Sequence, residues 1–233
     1  MAQVKFGGGV TAISGSIAGS TFGRNRFGFY IRPRTKPVNP NSAGQAGIRS
    51  AMSYLTAYWH ATLTPAQRVA WTTYAAAVAM KNRLGETIYL TGFNHFIRSN
   101  AELVNRSLTL VADGPTVLAL PEKDPTIAAT GAASTQLVSV AFDVLLDWID
   151  EDDSYMMVYQ GVPQLATRNF FGGPWRYMDK IEGDSITPPT SPVTMTAPFT
   201  LVEDQKVWCY ARIVRADGRV TMPIYPDPFA VGA

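Results

Sequence analysis

The sequence predicts an α+β protein made of three consecutive parts and one connecting segment. Residues 1–40 form an extended, glycine-rich basic arm, and residues 41–110 form a small helical anchoring domain with three helices. A linker at 111–135 leads to a C-terminal β-sandwich of the immunoglobulin or fibronectin type III kind at 136–233. Apolar residues recur at helical spacing in the second part and alternate with a period of two in the last, and these two patterns carry the prediction.

The arm has the composition of a segment that becomes ordered against a partner. Residues 1–40 hold seven glycines and six basic residues but no acidic residue, and the interleaved aromatic and aliphatic side chains are too apolar for a solvated linker. The glycines weaken any helix, while Pro33 and Pro37 enforce extended backbone. We therefore expect an extended arm with a hairpin around Arg24-Asn25-Arg26.

Three short helices are predicted in the helical domain. The first covers about 43–60, because Ser42 offers an N-cap and apolar residues then recur every three or four positions. The second begins at Thr64-Pro65, a cap followed by proline at the first helical position, and continues to about Met80. The third covers about 92–107.

These helices carry more apolar side chains than one modest core requires. The excess predicts a second surface, at which the helical domain contacts a partner. The residues that we assign to this helical interface are Trp59, Arg68, Trp71 and Phe96.

The last part of the chain has the alternation of half-buried strands. Residues 111–135 hold three prolines and many small residues, which is typical of a linker or of a strand at a domain edge. Apolar residues then alternate strictly from Val138 to Trp148. Asp217-Gly218 predicts a type I′ hairpin turn, because this pair accepts positive φ angles. Further strands are predicted at 155–160, 175–181, 194–201 and 206–215.

The formal net charge of +2 conceals two electrostatic halves. Residues 1–110 carry 12 basic and two acidic residues, which gives +10, whereas residues 111–233 carry eight basic and 16 acidic residues, which gives −8. This asymmetry fits a nucleic-acid-binding face, a partner of opposite charge, or head-to-tail association between copies of the same chain.

No catalytic, metal or cofactor site is predicted. One cysteine, Cys209, and two histidines, His60 and His95, are too few for a cysteine- or histidine-based metal centre. The glycines at 7–9 precede no Gly-Lys-Ser/Thr, so a phosphate-binding loop is not expected. No apolar run approaches the ~18 residues of a membrane span, and the N-terminus lacks the layout of a signal peptide. We therefore expect no membrane association and no export.

The sequence allows two interpretations for each of two further stretches. The acidic run at 147–153 is predicted to be a solvated loop between strands, with a calcium site as the alternative, although the run lacks the ligand order and central glycine of an EF-hand. Phe170, Phe171 and Trp175, beside Gly172-Gly173-Pro174, are predicted to pack locally, with a carbohydrate or protein contact as the alternative.

The basic arm is the strongest candidate for a binding site. Its arginines and aromatic rings could occupy an acidic groove of a neighbouring protein subunit, or could neutralise phosphates while stacking nucleotide bases. A plain basic tail is the third interpretation, and the aromatic content favours the protein groove. The candidate residues are Arg24, Arg26, Phe27, Phe29, Tyr30, Arg32, Arg34 and Lys36.

Three motifs stand out within residues 10–105. They are Arg-x-Arg-x-Lys-Pro-x-Asn-Pro at 32–40 with Gln45 and Arg49 after it, Gln67-Arg68 with Trp71, and Gly92-Phe93-Asn94 with Phe96 and Asn100. In these motifs the sequence resembles a family of uncharacterised proteins that tailed bacteriophages and prophages encode, generally regarded as structural components of the virion. The resemblance supplies no catalytic residue and does not extend into the C-terminal half.

This resemblance implies a non-enzymatic virion protein that is made in the host cytoplasm and that needs no cofactor. Its implied partners are other virion proteins, such as major capsid, neck or tail subunits, and copies of itself. A capsid decoration or cement protein, anchored by the arm and the helices, is the first expectation. A head–tail connector, neck, tail or fibre protein is the second, and a nucleic-acid-binding packaging or host-takeover protein is the third.

Overall fold

The computed structural model describes residues 2–82 and 84–233 and has an α+β architecture. Three helices and several antiparallel sheets follow one another along the chain. A four-stranded sheet comes first, the helices and a short hairpin follow, and packed β-sheets make up the C-terminal half. The prediction of an α+β protein with three helices before a β-rich half is confirmed.

The N-terminal residues form a sheet, where the sequence predicted an extended arm with one hairpin. Its strands are β1 (Ala2–Val4), β2 (Gly15–Ile17), β3 (Ser20–Asn25) and β4 (Gly28–Pro33), in the order β1-β4-β3-β2. Asn25 pairs with Gly28, so Arg26 and Phe27 form a two-residue turn, one residue beyond the predicted position. Gly28 has a φ of +116°, a conformation that disfavours any side chain. We call residues 2–33 the arm sheet.

The arm sheet has no core of its own. From Ala2 to Ser50 every residue is at least partly exposed, including the aromatic residues Phe22, Phe29 and Tyr30. A two-faced sheet normally buries one face against another element. The arm sheet therefore holds together through its backbone ladder and partial packing only.

The three helices begin where side-chain caps place them. Helix α1 spans Ala43–Ala61, α2 spans Pro65–Ala77 and α3 spans Gly92–Asn105. Ser42, Thr64 and Thr91 each accept a hydrogen bond from the backbone N–H three residues further on. At α2 the Gln67 side chain also accepts from the N–H of Thr64, which completes a capping box. The predicted starts of all three helices are confirmed.

Helix α2 ends three residues before the predicted Met80. Val78 has extended backbone angles, and β5 (Ala79–Lys81) then pairs with β6 (Thr87–Tyr89) in a short hairpin. The Asn82 carboxamide accepts hydrogen bonds from two backbone N–H groups of the hairpin loop. The helical periodicity did not reveal this change, because strand pairing depends on residues after the helix.

The helices enclose one aromatic core. Trp71 and Phe96 are fully buried, their ring centroids lie 5.7 Å apart at a steep angle, and Trp59 lies 5.4 Å from Phe96. Edge-to-face pairs of this kind contribute about 0.5–1.5 kcal/mol beyond the burial of their area. The buried members of this core are Leu55, Trp59, Leu63, Trp71, Tyr74, Val78 and Phe96.

The segment predicted as a linker is packed against these helices. Trp71 Nε1 donates to the carbonyl of Ala112 at 3.0 Å, and the Asn100 carboxamide binds both backbone groups of Val111, at 2.7 and 3.0 Å. Gly114 lies so close to the α2 backbone that a Cβ there would clash with Trp71. The first part of 111–135 is therefore a docked segment, and its last part is an edge strand.

Eight strands form the C-terminal half. They are β7 (Ala128–Ala132), β8 (Leu137–Ala141), β9 (Tyr155–Gly161), β10 (Trp175–Glu182), β11 (Val193–Thr196), β12 (Lys206–Val207), β13 (Cys209–Val214) and β14 (Phe229–Ala230). One sheet has the order β11-β8-β7, another has the order β10-β9-β13, and β12 pairs with β14. Alternate side chains of the two three-stranded sheets share one core, which includes Val138, Val140, Met156, Val158 and Ile213.

Three predicted features of this half need correction. The strand predicted at 194–201 corresponds to β11 and ends at Thr196. The strand predicted from Val138 to Trp148 stops at Ala141, because the next residues turn: the N–H of Asp143 donates to Asp124, and the N–H of Leu145 donates to Asp143. The turn at Asp217-Gly218 has three loop residues instead of two. Only Gly218 has positive φ, as in a type I turn followed by a left-handed residue.

The sheet β10-β9-β13 is covered on both faces. All seven residues of β9 are buried, since one face packs against the other sheet and the second packs against Leu103 of α3. Arg98 of α3 also donates to the carbonyl of Thr221 at 2.7 Å. The helical domain and the C-terminal sheets are therefore joined through a shared apolar junction.

Candidate partner-binding surface

The strand register divides the arm sheet into two chemically different faces. Phe29 pairs with Val4 on one side and with Arg24 on the other, and Ile31 pairs with Phe22. Paired residues point to the same face of an antiparallel sheet. This apolar face therefore presents Val4, Phe22, Phe29 and Ile31, with Arg24 at its margin.

The apolar face borders an open groove of about 500 Å³. Phe6 contacts Phe29 edge-to-face with centroids 5.1 Å apart, and the Arg24 guanidinium lies 5.2 Å from the Phe29 ring centre. Phe27 and Leu84 also line the groove. The arrangement places a cation beside partly exposed aromatic rings.

The opposite face of the arm sheet is polar. Tyr30 lies over Gly23, where a Cβ would meet the phenol ring at 2.7 Å, and Arg32 pairs with Thr21. Thr21 and Ser16 are within 3.1 Å through their hydroxyl groups. A side chain at position 23 would therefore displace the tyrosine ring from this position.

The predicted basic residues of the arm remain available to a partner. Arg24, Arg26, Arg32, Arg34 and Lys36 are exposed, and none of them forms an ion pair within residues 2–82 and 84–233. The structure brings Phe27 and Phe29 to one groove and places Arg24 beside the Phe29 ring. It puts Tyr30 and Arg32 on the other face, and Arg34 and Lys36 in the extended segment after β4.

One basic side chain of the arm sheet has an internal partner. Lys5 Nζ lies 2.6 Å from Glu86 Oε1, in the loop between β5 and β6. The hydrogen bond between these groups raises the pKa of Lys5 and lowers the pKa of Glu86. This exposed contact connects the arm sheet to the helical domain.

Extended chain leads from the arm sheet to α1. The Arg49 guanidinium donates to Asn39 at 2.8 Å and to Asn41 at 3.4 Å, which anchors the end of this segment to α1. Val38, which directly precedes Asn39, is 87% exposed. Asn39, in the second half of the motif at 32–40, thus helps Arg49 to hold the extended segment against α1.

The predicted helical interface is largely interior, which corrects the sequence interpretation. Trp71 and Phe96 are fully buried in the helical core, and Arg68 donates to the carbonyls of Trp59 and His60 at the end of α1. Only the rim of Trp59 reaches a surface groove. Helical spacing identifies a buried face, but it does not tell an internal core from a face that a partner covers.

That second groove lies between the arm turn and the helices. It has a volume of about 560 Å³ and is mostly apolar. Arg26 lines one side of it, and Trp59, Thr72, Tyr89 and Phe93 line the other.

An acidic surface with two exposed apolar side chains lies at one end of the C-terminal sheets. The loops 142–153 and 183–187 meet there, because Asp152 accepts hydrogen bonds from the N–H and hydroxyl of Ser185. Leu145 is 86% exposed and Ile186 is 89% exposed. The two loops carry seven acidic residues and no basic residue. We call this surface the acidic end.

The sequence predicted the negative charge of the acidic end but not its exposed apolar side chains. Its negative charge was visible, but Leu145 belonged to a pattern read as strand, and Ile186 had no distinguishing context. Several of the carboxylates already have partners: Glu151 pairs with Arg215, and Asp153 accepts from the hydroxyl of Tyr155. In the described part of the chain no group of three or more His, Cys, Asp or Glu residues is arranged to hold a metal ion.

The aromatic loop between β9 and β10 packs locally in part. The Phe171 ring stacks on Trp208 at 5.6 Å and meets Trp175 edge-on at 4.9 Å. Phe170 is 75% exposed beside them.

His95 and Cys209 are both buried inside the protein. His95 is fully buried, lies 5.1 Å from the Tyr74 ring, and has a pKa lowered to about 4 by its burial and, secondarily, by Arg98. Burial raises the pKa of the Cys209 thiol to about 12. Neither group lies in one of the two grooves described above.

No family model matches the sequence, and no curated protein matches it either. Among the described residues, no helix has the length and apolar character that crossing a membrane requires.

Proposed function

We propose that the chain is a non-enzymatic structural protein of a tailed-bacteriophage virion, and most specifically a capsid decoration or cement protein. In this proposal the arm sheet and the extended segment after it bind the neighbouring virion subunits. The observation that carries the proposal is the arm sheet itself. A sheet with an apolar face, several unpaired cations and no buried residue has the chemistry of a surface that a partner completes.

The charge of the arm supports a protein partner with an acidic groove. Arg24, Arg26 and Arg32 form no ion pair with the described residues of the chain, and arginine forms bidentate pairs with carboxylates. Phe27 and Phe29 beside them supply the aromatic anchors that dominate many protein interfaces. The resemblance of the motifs within residues 10–105 to phage virion proteins points in the same direction.

We further propose that the C-terminal half is a sandwich of the immunoglobulin or fibronectin type III class. Two features of the strand order support this assignment. The first, second and fifth strands share one sheet (β11-β8-β7), and the third, fourth and a later strand share the other (β10-β9-β13). The segment around Ile224 also bridges to β13, as a last strand would. Such a domain would serve as the outward module of the proposed decoration protein.

The alternative position is the neck, the tail or a fibre. Copy number separates the two positions, since decoration proteins cover a shell in hundreds of copies and a neck ring holds about a dozen or fewer. Quantitative mass spectrometry of purified particles, with the major capsid protein as the reference, measures this ratio. We expect hundreds of copies per particle, and absence from the particle would overturn the virion proposal.

A binding experiment tests the role of the arm. Particles that lack the chain are mixed with the purified intact chain, with Arg32→Glu/Arg34→Glu, and with Lys123→Glu/Arg176→Glu. Both double variants change four charge units at exposed positions, but only the first changes the arm. We expect binding to fall at least ~10-fold for the arm variant and little for the matched control. Equal binding of all three proteins would refute the anchoring role.

The same arm variant tests nucleic-acid binding as the other candidate role. Affinity for DNA that falls steeply with salt, and that Arg32→Glu/Arg34→Glu abolishes while particle binding is kept, would move the arm to that role. We expect no retention of DNA at physiological salt.

A further inference from the structure

We infer that the acidic end of one copy docks on the apolar face of the arm sheet of a second copy, so that the chain associates head to tail. This inference rests on the proposed function, because it names one partner of the arm that the proposal assigns to assembly. The inference is based on two separate surfaces of the chain that have complementary chemistry. One is an apolar groove with a basic margin, and the other has two exposed apolar side chains with an acidic margin.

The groove on the arm sheet can admit apolar side chains. It has a volume of about 500 Å³ and is open to solvent, with Val4, Phe6 and Phe29 on its walls. Arg24 lies beside the Phe29 wall of the groove, and Glu86, the one carboxylate among the described residues that line it, is paired with Lys5.

The acidic end offers the matching projection. Leu145 and Ile186 are 86% and 89% exposed, which is unusual for side chains that gain about 1.5–3 kcal/mol from burial. Asp147 and Asp150 next to Leu145 are exposed as well. Each projecting apolar side chain is therefore accompanied by carboxylates that can reach basic groups around a groove.

The two surfaces cannot satisfy each other inside one chain in this structure. The described residues that line the arm-sheet groove include none from the loops 142–153 and 183–187, and Leu145 and Ile186 remain solvent-exposed. A contact between unlike surfaces of identical chains is heterologous, and repetition of it produces a ring or a filament. This geometry suits a protein that lines a shell or a ring in many copies.

The experiment uses the intact chain and two surface variants. Arg24→Glu reverses the charge beside the groove, and Leu145→Asn/Asp147→Lys alters the acidic end. Leu165→Asn/Asp227→Lys is the matched control, because it makes the same two kinds of change at exposed positions outside the acidic end. Circular dichroism and thermal melting first establish that each protein is folded.

Sedimentation velocity over a range of concentration and salt then measures association. We expect the intact chain and the control to form species larger than a dimer at low salt, with an association constant that falls as salt rises. Each surface variant should lose at least ~10-fold in association constant.

A mixture of the two surface variants gives the decisive result. One intact acidic end and one intact groove remain between the two partners, so a heterologous contact predicts a dimer of unlike variants and nothing larger. A mixture that stays monomeric, or a surface variant that associates like the intact chain, overturns the inference. A monomeric intact chain does so as well.

The outcome for self-association is separate from that for the proposed function. If the intact chain is monomeric but Arg32→Glu/Arg34→Glu still loses particle binding, the arm binds a different virion subunit and only the head-to-tail contact is refuted. If the chain self-associates as expected but is absent from particles, the virion proposal fails and the head-to-tail contact stands.

Discussion

Two antiparallel sheets of this molecule have opposite relations to the rest of the chain. Every residue of β9 is buried, because its sheet packs against a second sheet on one face and against α3 on the other. The arm sheet has four strands and several aromatic residues, yet none of its residues is buried. Strand pairing alone therefore does not bury a sheet: other elements of the chain cover β9 on both faces, whereas the arm sheet stays exposed.

The largest contrast should come from truncating one aromatic ring in each region. We expect Trp71→Ala to lower the free energy of unfolding by about 3–5 kcal/mol, because a fully buried indole leaves a cavity and an unpaired carbonyl at Ala112. Phe29→Ala should cost below about 1 kcal/mol, since its ring stays partly exposed. Chemical denaturation measures both values. Equal losses would mean that the arm sheet is part of the cooperative core.

Acid should weaken the helical domain through His95. The pKa of His95 is lowered to about 4 in the fold, whereas a histidine in an unfolded chain titrates near ~6.5. The unfolded state therefore binds more protons in this range, so the contribution of His95 is complete above pH ~6.5 and is lost as the pH falls towards 4. The loss should be on the order of 1–3 kcal/mol.

Melting temperatures between pH 7 and pH 4 test this expectation. His95→Gln should flatten the pH dependence over that interval, because the titrating group is gone. His60→Gln is the matched control at an exposed position and should keep the slope of the intact protein. A slope that His95→Gln leaves unchanged would assign the acid sensitivity to other groups.

The smallest expected difference in stability between the two regions comes from removing one hydroxyl group in each. Thr64→Ala removes the N-cap of α2 and should cost about 1 kcal/mol, because the N–H of Gln67 loses its acceptor. Ser16→Ala removes a hydroxyl contact to Thr21 in the arm sheet and should be close to neutral. Urea denaturation resolves the difference, and a cost for Ser16→Ala as large as that for Thr64→Ala would contradict the account of an incomplete arm sheet.

The features predictable from sequence were those with local causes. The starts of α1, α2 and α3 follow from Ser42, Thr64 and Thr91, whose side chains cap the helices without help from distant residues. The end of α2 and the end of β8 were missed, since both depend on pairing or capping by residues elsewhere, such as the hydrogen bond from Asp143 to Asp124.

The candidate site shows the same limit. The charge and aromatic content of the arm marked it as a binding segment, but its strand order depends on β1 and β4 meeting across more than 20 residues. Trp71 and Phe96 looked like interface residues because a helical stripe has the same spacing whether the chain itself or a partner covers it. Leu145 belongs to an alternating pattern that predicted a strand, but the residue lies in a loop, where its N–H donates to Asp143.

Hydrogen–deuterium exchange of the intact chain, free and then bound to particles, shows whether a virion partner covers the arm sheet. In the free chain we expect the amides of β3 and β4 to exchange much faster than those of β9, because no residue of β3 or β4 is buried whereas every residue of β9 is. On particles, β3 and β4 should become protected while β9 stays unchanged. Arm strands that are as protected as β9 in the free chain, or that gain no protection when bound, would contradict the account.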